Sequence, residues 1–322
     1  MKRIIYLGIA VLVVVLVWTG GWFYIAGEIR KNIELMADAD GTTAPMLSCG
    51  TLDISGYPFH FNADCENASL LSGDVLTTIP GLRVSAQVYQ PTHLLASALG
   101  PVTISDNFTG SRSDVNWDGL QASLRLEGWR IARLSIIADN LVWTDKLFGQ
   151  PIASAPKAEF HLIDIPEQYD AERGTAALAL YTEAHDIAAP GLTIADGTAS
   201  IQAELSGLPD DIRLLGNPDL LRQMQQAGGT LKLIDITASD TETSKLSASG
   251  ELSLDPQGLL NGNIDIISTG VVERVGPLLE EPFRTLTFGN AGPDGSYTQK
   301  LSARSGGIFS GLVPISSVPP LF

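Results

Sequence analysis

The feature that most constrains this chain is an uncharged apolar run near its start. Residues 4–26 read IIYLGIAVLVVVLVWTGGWFYIA, twenty-three residues without a charged side chain. A helix rises about 1.5 Å per residue, so about 20 apolar residues cross a hydrocarbon core of about 30 Å. Four aromatic side chains gather near the end of the run, Trp18, Trp22, Phe23 and Tyr24. Such rings favour the level of the lipid headgroups. We therefore predict a membrane-spanning helix over 4–26, preceded by a short tail at 1–3.

A cleaved signal peptide is the rival interpretation of the same run. Thr19 and Gly21 are small residues at the offsets expected for cleavage after Gly21. The apolar run nevertheless continues past this site with the bulky Phe23 and Tyr24. We favour the uncleaved anchor for this reason, and we predict that a juxtamembrane helix and a polar linker follow it at 27–45.

The basic residues on the two sides of the apolar run are nearly matched in number, so they do not determine how the anchor is oriented in the membrane. The two cysteines, Cys49 and Cys65, are used instead. A pair so close in sequence favours a disulfide bond, which persists only in an oxidising compartment. Two buried free thiols or half of a metal site are the alternatives, but no Cys or His lies nearby at zinc spacing. We therefore predict a Cys49–Cys65 disulfide, a single-pass anchor in the inner membrane, and the bulk of the chain in the periplasm.

The composition excludes some partners. Charged residues make up 17% of the chain, below the usual quarter, and hydrophobic residues 44%, which indicates an ordered domain with an apolar interior. The net charge is −16, and the acidic residues are spread along the chain. Nucleic acid requires basic patches, so we predict no nucleic-acid partner. The chain also lacks a polybasic segment for anionic lipid, so its bilayer contact is expected through the anchor at 4–26 or through apolar surface.

A period of two dominates the rest of the sequence. Apolar and polar residues alternate at 82–89, 120–127, 201–205 and 246–254. Further strand candidates lie at 134–143, 158–165, 175–182, 230–239 and 259–268. Strands with one apolar and one polar face indicate an antiparallel sheet. One side of that sheet is either covered by other parts of the protein or available to a ligand. We predict a mostly β fold, in which the anchor is followed by a large, curved, mainly antiparallel sheet domain at 46–322 with a few short helices. The proline-rich tail at 306–322 is expected as a last edge strand.

The segment CGTLDISGYPFHFNADC, at 49–65, is predicted to form a hairpin that turns about Tyr57. In that register the two terminal cysteines face each other across the ladder. The same register sets the apolar side chains of the first strand on the face opposite Phe59 and Phe61. A one-residue slip would unite the apolar side chains but separate the cysteines. A bulge, or burial of both faces, would reconcile the two requirements.

Three short helices are predicted within the β-rich region. The first covers 219–227, with Asn217 as its N-cap and Gly228 at its end. The other two cover 92–99 and 271–280, and Pro277 is expected to kink or break the last one. Helices are thus too few for βαβ units and a parallel sheet.

No constellation of side chains predicts a reaction. Four histidines lie in separate segments without HxH or HExxH spacing, namely His60, His93, His161 and His185. The acidic pairs at 210–211 and 280–281 sit beside prolines, which favours solvated turns over an acid and a base. The sequence has no GxSxG elbow, P-loop or GxGxxG before a helix. We therefore predict a protein that is not an enzyme, with no catalytic residues, no metal and no cofactor.

Three stretches resemble a known family. They are SGYPFHFNADC at 55–65, VSAQVYQPTHLLASALGP at 84–101 and SASGELSLDPQGLLNGNIDI at 247–266. Together they resemble the alphaproteobacterial domain of unknown function 2125 family, over nearly all of the chain beyond the anchor. That resemblance implies no activity and no catalytic residues. The motif ASGELSLDPQG is similar, more weakly, to AsmA-like envelope proteins, which resemble the lipid-conducting groove proteins of bacterial outer-membrane biogenesis.

The sequence-based hypothesis is a membrane-anchored periplasmic protein that binds or shields an apolar ligand, a lipid, in maintenance of the cell envelope. An exposed apolar sheet face is a liability unless it is covered or used. The competing explanation is that this face packs on a second sheet or on the few helices. A second hypothesis is a structural adaptor that docks envelope proteins through strand edges or loops. A third is a hydrolase, which would require His93 or His161 to converge with carboxylates in a cleft.

Overall fold

The structure is a computed structural model that describes residues 2–42, 44–240, 244–275 and 283–322. Over these residues the chain forms two compact units, of which the first ends at Arg112 and the second begins at Ser113. The predicted fold class is confirmed, because an N-terminal apolar helix precedes a mostly antiparallel β structure with few short helices.

The first unit begins with helix α1, Lys2–Met36. This helix is long and apolar enough to cross a bilayer, with a mean hydropathy of 2.4 over its most apolar stretch and no burial of that stretch within the protein. Trp22 and Ala26 are its buried side chains, with 5% and 7% of their surfaces exposed. The predicted span and the predicted juxtamembrane helix are therefore one continuous helix, which passes from exposed to packed at Trp22.

Six strands complete the first unit. They are β1 Met46–Ser48, β2 Thr51–Ser55, β3 His60–Ser72, β4 Val75–Gln87, β5 Gln90–Leu99 and β6 Val102–Asp106. The long strands β3 and β4 pair along their whole length, with β1 and β2 both on the outer side of β3. In the same way β5 and β6 share the outer side of β4. Helix α1 lies against β1 and β2.

The register of the β2–β3 hairpin differs by three positions from the predicted one. Leu52, rather than Cys49, lies opposite Cys65. This register brings the apolar side chains of both strands to one face, which the predicted register could not do. Cys49 reaches Cys65 from the bend between β1 and β2, where the Gly50 amide donates to the Glu66 carbonyl oxygen at 2.9 Å. The two sulfur atoms lie at disulfide-bonding distance, with the Cα atoms 5.3 Å apart.

The predicted helix at 92–99 is wrong, because this segment lies within strand β5. Leu94 and Ala96 lie opposite Ala86 and Val84 of β4, so alternate residues of β5 share the apolar face of their neighbour. A helix of eight residues is marginal on its own. Strand β4 instead pairs with β5 along 94–99 and satisfies the backbone groups on that side, and this tertiary pairing overrides the local helical preference.

The second unit contains the remaining twelve described strands, apart from Arg112, the first residue of β7, which belongs to the first unit. They are β7 Arg112–Asn116, β8 Gly119–Glu127, β9 Arg130–Asp145, β10 Pro151–Asp164, β11 Thr175–Ala189, β12 Ile194–Pro209, β13 Thr230–Asp240, β14 Lys245–Leu254, β15 Leu260–Thr269, β16 Ser296–Arg304, β17 Gly307–Ser310 and β18 Val313–Ser317. Its helices are α2 Leu220–Gln226, α3 Val271–Val275 and α4 Phe283–Phe288, with 3-10 turns at Pro166–Gln168, Pro190–Leu192 and Ile212–Leu214. From β8 to β16 each strand pairs antiparallel with the next.

The predicted helices of this unit are present with changed limits. Helix α2 begins at Leu220, and the Asn217 side chain instead accepts from the Asp219 amide at 2.9 Å, which stabilises the turn before the helix. Helix α3 matches the first half of the predicted 271–280 helix. The rest of that helix, with Pro277, falls outside the described residues. The predicted strand in the proline-rich tail is present as β17 and β18.

A small packed cluster lies at one end of the second unit. Its buried members are Ile131, Leu178 and Leu208, each with 6% of its surface exposed. Nine half-buried side chains pack against them, namely Leu124, Leu126, Leu134, Leu162, Leu205, Ile212, Leu215, Leu220 and Met224. The last four belong to α2 and the segment before it, so this segment covers the ends of strands β8 to β12.

Gly262 of β15 allows the close approach of β14. Its φ is +136°, and a methyl group at its Cα would collide with the Glu251 carbonyl oxygen of the neighbouring strand. We expect Gly262→Ala to lower the free energy of unfolding by about 2 kcal/mol or more, since backbone strain and a main-chain clash add up. Urea denaturation of the full chain measures this. Gly216→Ala is the control, because a methyl group there meets no atom within 4 Å. Equal stability of the two variants would contradict the assigned register.

Candidate functional site

The paired strands of the second unit align their apolar residues on one face. One row of cross-strand partners runs Ala122, Ile136, Phe160, Thr182, Ile201, Ile236, Ala248 and Ile266. The next row on the same face runs Leu124, Leu134, Leu162, Leu180, Ala203, Leu233, Gly250, Ile264 and Leu301. Neighbouring strands are about 4.8 Å apart, so nine strands give a face about 40 Å across.

Most of this face has no second layer of protein over it within the described residues. Its buried members are small, as Ala138, Ala203 and Ala248 show, whereas its larger aliphatic side chains are half-buried. No described side chain of the chain falls below 2% exposure, apart from alanine. A sheet covered by a second layer would bury its leucines and isoleucines almost completely. The face is therefore accessible from one side.

The packed cluster covers only one end of the face. It includes Leu124, which packs against the same buried residues as the α2 segment. Nine large apolar residues of the two rows lie outside the cluster, and we call them the open apolar face: Ile136, Phe160, Leu180, Ile201, Leu233, Ile236, Ile264, Ile266 and Leu301. The accessible part of the sheet is thus centred on strands β12 to β15.

An apolar cavity adjoins the other end of these strands. Its volume is about 200 Å³, and it is lined mainly by Ile187, Leu192, Ile194, Leu246 and Val271. Ala199 and Ala238 also line it. They are cross-strand partners and lie two residues along their strands from Ile201 and Ile236. The open apolar face therefore adjoins a mainly apolar recess at the Pro190–Leu192 turn and the start of α3, which Ser239, Asp240 and Ser244 also line.

The opposite face of the same strands is polar and carries ion pairs. Lys232 lies 3.6 Å from Glu204, and Lys300 lies 3.4 Å from Asp265. Ion pairs as exposed as these contribute little to stability. Their charged groups keep that face hydrated. The sheet consequently has one face suited to water and one suited to an apolar partner.

The histidines of the second unit lie on this polar face, beside glutamates. His161 Nε2 is 3.1 Å from Glu159 Oε2, and its ring stacks on Tyr181 with centroids 6.1 Å apart. A hydrogen bond from Lys157, and then one from His161, lowers the pKa of Glu159. His185 Nε2 similarly lies 2.9 Å from Glu183. These side chains extend along strands β10 and β11.

The remaining sequence candidates lie in other elements or outside the described residues. His60 lies at the start of β3 and His93 in β5, both in the first unit. Asp211 accepts hydrogen bonds from Arg213, which lower its pKa, and it caps a 3-10 turn. The pair at 280–281 is outside the described residues. Within the described ranges, no group of three or more His, Cys, Asp or Glu residues could hold a metal ion. The expectation that the chain is not an enzyme stays a prediction.

A buried ion pair marks the edge of the packed cluster. Asp164 is opposite Leu178, with 8% of its side chain exposed, and lies 3.4 Å from Arg130. The guanidinium of Arg130 also lies over the Tyr169 ring at 4.1 Å. Burial raises the pKa of Asp164, and the attraction of Arg130 opposes this only in part. Asp164 Oδ1 has no hydrogen-bond partner among the described residues.

The first unit has an apolar recess of its own beside α1. A cavity of about 310 Å³ lies between Ile29 and Ile33 of the helix and the apolar side of strands β1 to β5. The Cys49–Cys65 pair forms part of its wall. The helical spacing of Ile29, Ile33 and Met36 predicts one apolar side of the juxtamembrane helix. Ile29 and Ile33 are directed at the sheet, whereas Met36 is 46% exposed.

The chain belongs to an uncharacterised bacterial family. A family model described as "Uncharacterized protein conserved in bacteria (DUF2125)" matches residues 22–319. The resemblance to the domain of unknown function 2125 family is thereby confirmed. No curated protein and no solved structure matches the chain. The similarity to AsmA-like proteins is not among the matches.

The raised pKa of Asp164 gives a pH dependence with a definite sign. The folded state holds the proton of this carboxyl more tightly than the unfolded chain does, so Asp164 adds stability as the pH falls through its folded pKa. We expect the unfolding free energy of the wild type, relative to Asp164→Asn, to rise as the pH is lowered toward the ordinary aspartate pKa of about 3.9. Denaturant titrations of both proteins measure this difference. A difference that falls with decreasing pH would contradict a desolvated carboxyl.

Proposed function

We propose that this chain is a single-pass protein of the inner membrane whose β-rich part lies in the periplasm and binds lipid acyl chains on the open apolar face. The observation that carries the proposal is the accessible apolar face over strands β12 to β15, backed by a charged face on the other side. Helix α1 supports the location, because it offers a stretch long and apolar enough for a bilayer. The Cys49–Cys65 pair at bonding distance supports an oxidising compartment.

Acyl chains fit this face because they need only apolar contact along their length. Burial of one methylene group contributes about 0.8 kcal/mol. A chain of about 14 methylenes that is half-covered by the sheet would gain about 6 kcal/mol on this scale. Among the described residues, the two rows of this face consist of apolar residues, threonine and glycine, so the proposed contact is with the acyl chain rather than the headgroup.

The second candidate is a structural adaptor in the cell envelope. The same face would suit the apolar surface of a partner protein, which would then replace lipid as its cover. The two functions predict different molecules on the same residues. A lipid assay with variants of that face therefore separates them.

Aspartate substitutions on the two faces of β15 test the lipid proposal. Ile266 belongs to the open apolar face, and the adjacent Ile267 is 50% exposed on the polar face. We expect Ile266→Asp, and likewise Ile236→Asp, to halve the lipid bound per purified full-length chain. Covering the new carboxylate with an acyl chain would remove it from water, which costs free energy. Ile267→Asp should leave the amount unchanged. Lipid is extracted and quantified by mass spectrometry after detergent exchange.

The paired design removes the contribution of the anchor. Lipid around α1 is the same in all variants, so the difference between Ile266→Asp and Ile267→Asp reports only the sheet. Circular dichroism and the denaturation midpoint verify that each variant is folded. Equal lipid content in both variants would reject the lipid proposal and leave the adaptor as the better one. Leu124→Asp is unsuitable here, because Leu124 packs against the buried cluster and its substitution would disturb the fold.

A further inference from the structure

Exposed aromatic side chains collect at one end of the first unit. Helix α1 contributes Trp18, Phe23 and Tyr24, with 44%, 62% and 70% of their surfaces exposed. The β2–β3 turn contributes Tyr57 and Phe59, which are 46% and 58% exposed, and the β4–β5 turn contributes Tyr89, which is 70% exposed. Aromatic rings so arranged are typical of the membrane–water interface.

The β2–β3 turn is joined to α1 by side-chain hydrogen bonds. The indole of Trp18 donates to the Pro58 carbonyl oxygen at 3.1 Å, and that of Trp22 donates to the His60 carbonyl oxygen at 3.0 Å. Stacking strengthens the contact, because the Trp22 ring lies parallel to Phe61, with centroids 5.3 Å apart. The turn therefore has a fixed height along the helix.

The β4–β5 turn lies beside the first one. The Val88 amide donates to the Phe59 carbonyl oxygen at 2.9 Å. The stretches that form the two turns, 55–61 and 86–93, contain no Asp, Glu, Lys or Arg, in a chain with 17% charged residues. The turns at the other end of the same sheet do contain acidic residues, namely Asp74 and Asp106. The aromatic end thus lacks the charges that would oppose contact with hydrocarbon.

The length of α1 sets the depth of these turns in a bilayer. Lys2 and Arg3 are charged, so the hydrocarbon core begins no earlier than Ile4. About 20 residues of helix cross the core, which places its far boundary near Phe23. Trp18 and Trp22 lie within the last turns before that boundary. A turn hydrogen-bonded to both residues therefore lies at the boundary or slightly below it.

We propose that the β2–β3 turn, residues 56–60, inserts into the interfacial region of the leaflet where α1 leaves the membrane, with Tyr89 beside it. The partner is the phospholipid of that bilayer. The proposal rests on the membrane anchoring in the proposed function but not on lipid binding by the second unit. Because β3 starts at His60, this second attachment point would fix the height at which the sheet of the first unit leaves the bilayer.

Site-specific photo-cross-linking in native membranes tests the insertion. The photoreactive analogue p-benzoylphenylalanine replaces Phe59 in the full-length chain, and lipid adducts are detected by mass spectrometry after illumination. Phe108, with 84% of its surface exposed, is the matched negative control. It lies next to the β3–β4 turn, where the Asn107 amide donates to the Asp74 carbonyl oxygen at 2.9 Å. The thirteen residues of β3 separate the two ends of the sheet by about 40 Å.

Val14, within the apolar stretch of α1 and 66% exposed, is the positive control for anchoring. We expect lipid adducts at Phe59 within about fivefold of the yield at Val14, and a yield at Phe108 at least tenfold lower. Adducts at Val14 but not at Phe59 would overturn the insertion while leaving the anchor intact. Equal yields at Phe59 and Phe108 would overturn it as well, since exposure alone would then explain the reaction. Absence of adducts at Val14 would instead reject the anchor on which the insertion depends.

Discussion

The second unit depends on one constraint, which is the alignment of apolar residues across paired antiparallel strands. Because side chains alternate between the faces of a strand, each pairing that places isoleucine opposite isoleucine or alanine also fixes the polar residues on the other side. Over β8 to β16 the pairing holds apolar residues to one face. The described helices cover only parts of that face, which leaves the rest accessible to the apolar ligand proposed above.

The first unit solves a related problem with a single helix. The N-terminal half of α1 is exposed along its length, whereas Trp22, Ala26, Ile29 and Ile33 face the protein. One continuous helix therefore serves two environments, and the change occurs where the β2–β3 turn is hydrogen-bonded to the two indoles. The Cys49–Cys65 pair holds the bend between β1 and β2 against β3, which keeps the wall facing the helix in place.

The sequence predicts the strands and the apolar helix well, because both rest on local periodicity. It misjudges the segment at 92–99, where the choice between helix and strand depends on the free side of β4. The sequence also predicts the wrong register for the β2–β3 hairpin. The true register is shifted by three positions because the chain bends at Gly50, where the sequence has no recognisable turn motif. An alternating pattern indicates one apolar face but not what covers it.

Which part of the sheet is covered could partly be predicted from the sequence, but not from the pattern of one strand taken alone. Ile212, Leu215, Leu220 and Met224 have roughly helical spacing, which could have indicated that the α2 segment packs on the sheet. The Asp164–Arg130 pair carries no comparable signal, because the two residues are adjacent only through the β9–β10 pairing. The sequence alone therefore predicts the secondary-structure elements and the apolar and polar faces of the strands. It does not predict which part of the apolar face stays uncovered.

The most direct measurement of the central claim is contact between lipid protons and the isoleucine methyl groups of the full-length chain. The protein is perdeuterated with protonated isoleucine methyl groups, and nuclear Overhauser effects from protonated acyl chains are recorded in lipid nanodiscs. We expect such effects at Ile236, Ile264 and Ile266, as well as at the isoleucines of the α1 span, and none at Ile267. Effects confined to α1 would contradict a lipid-binding sheet.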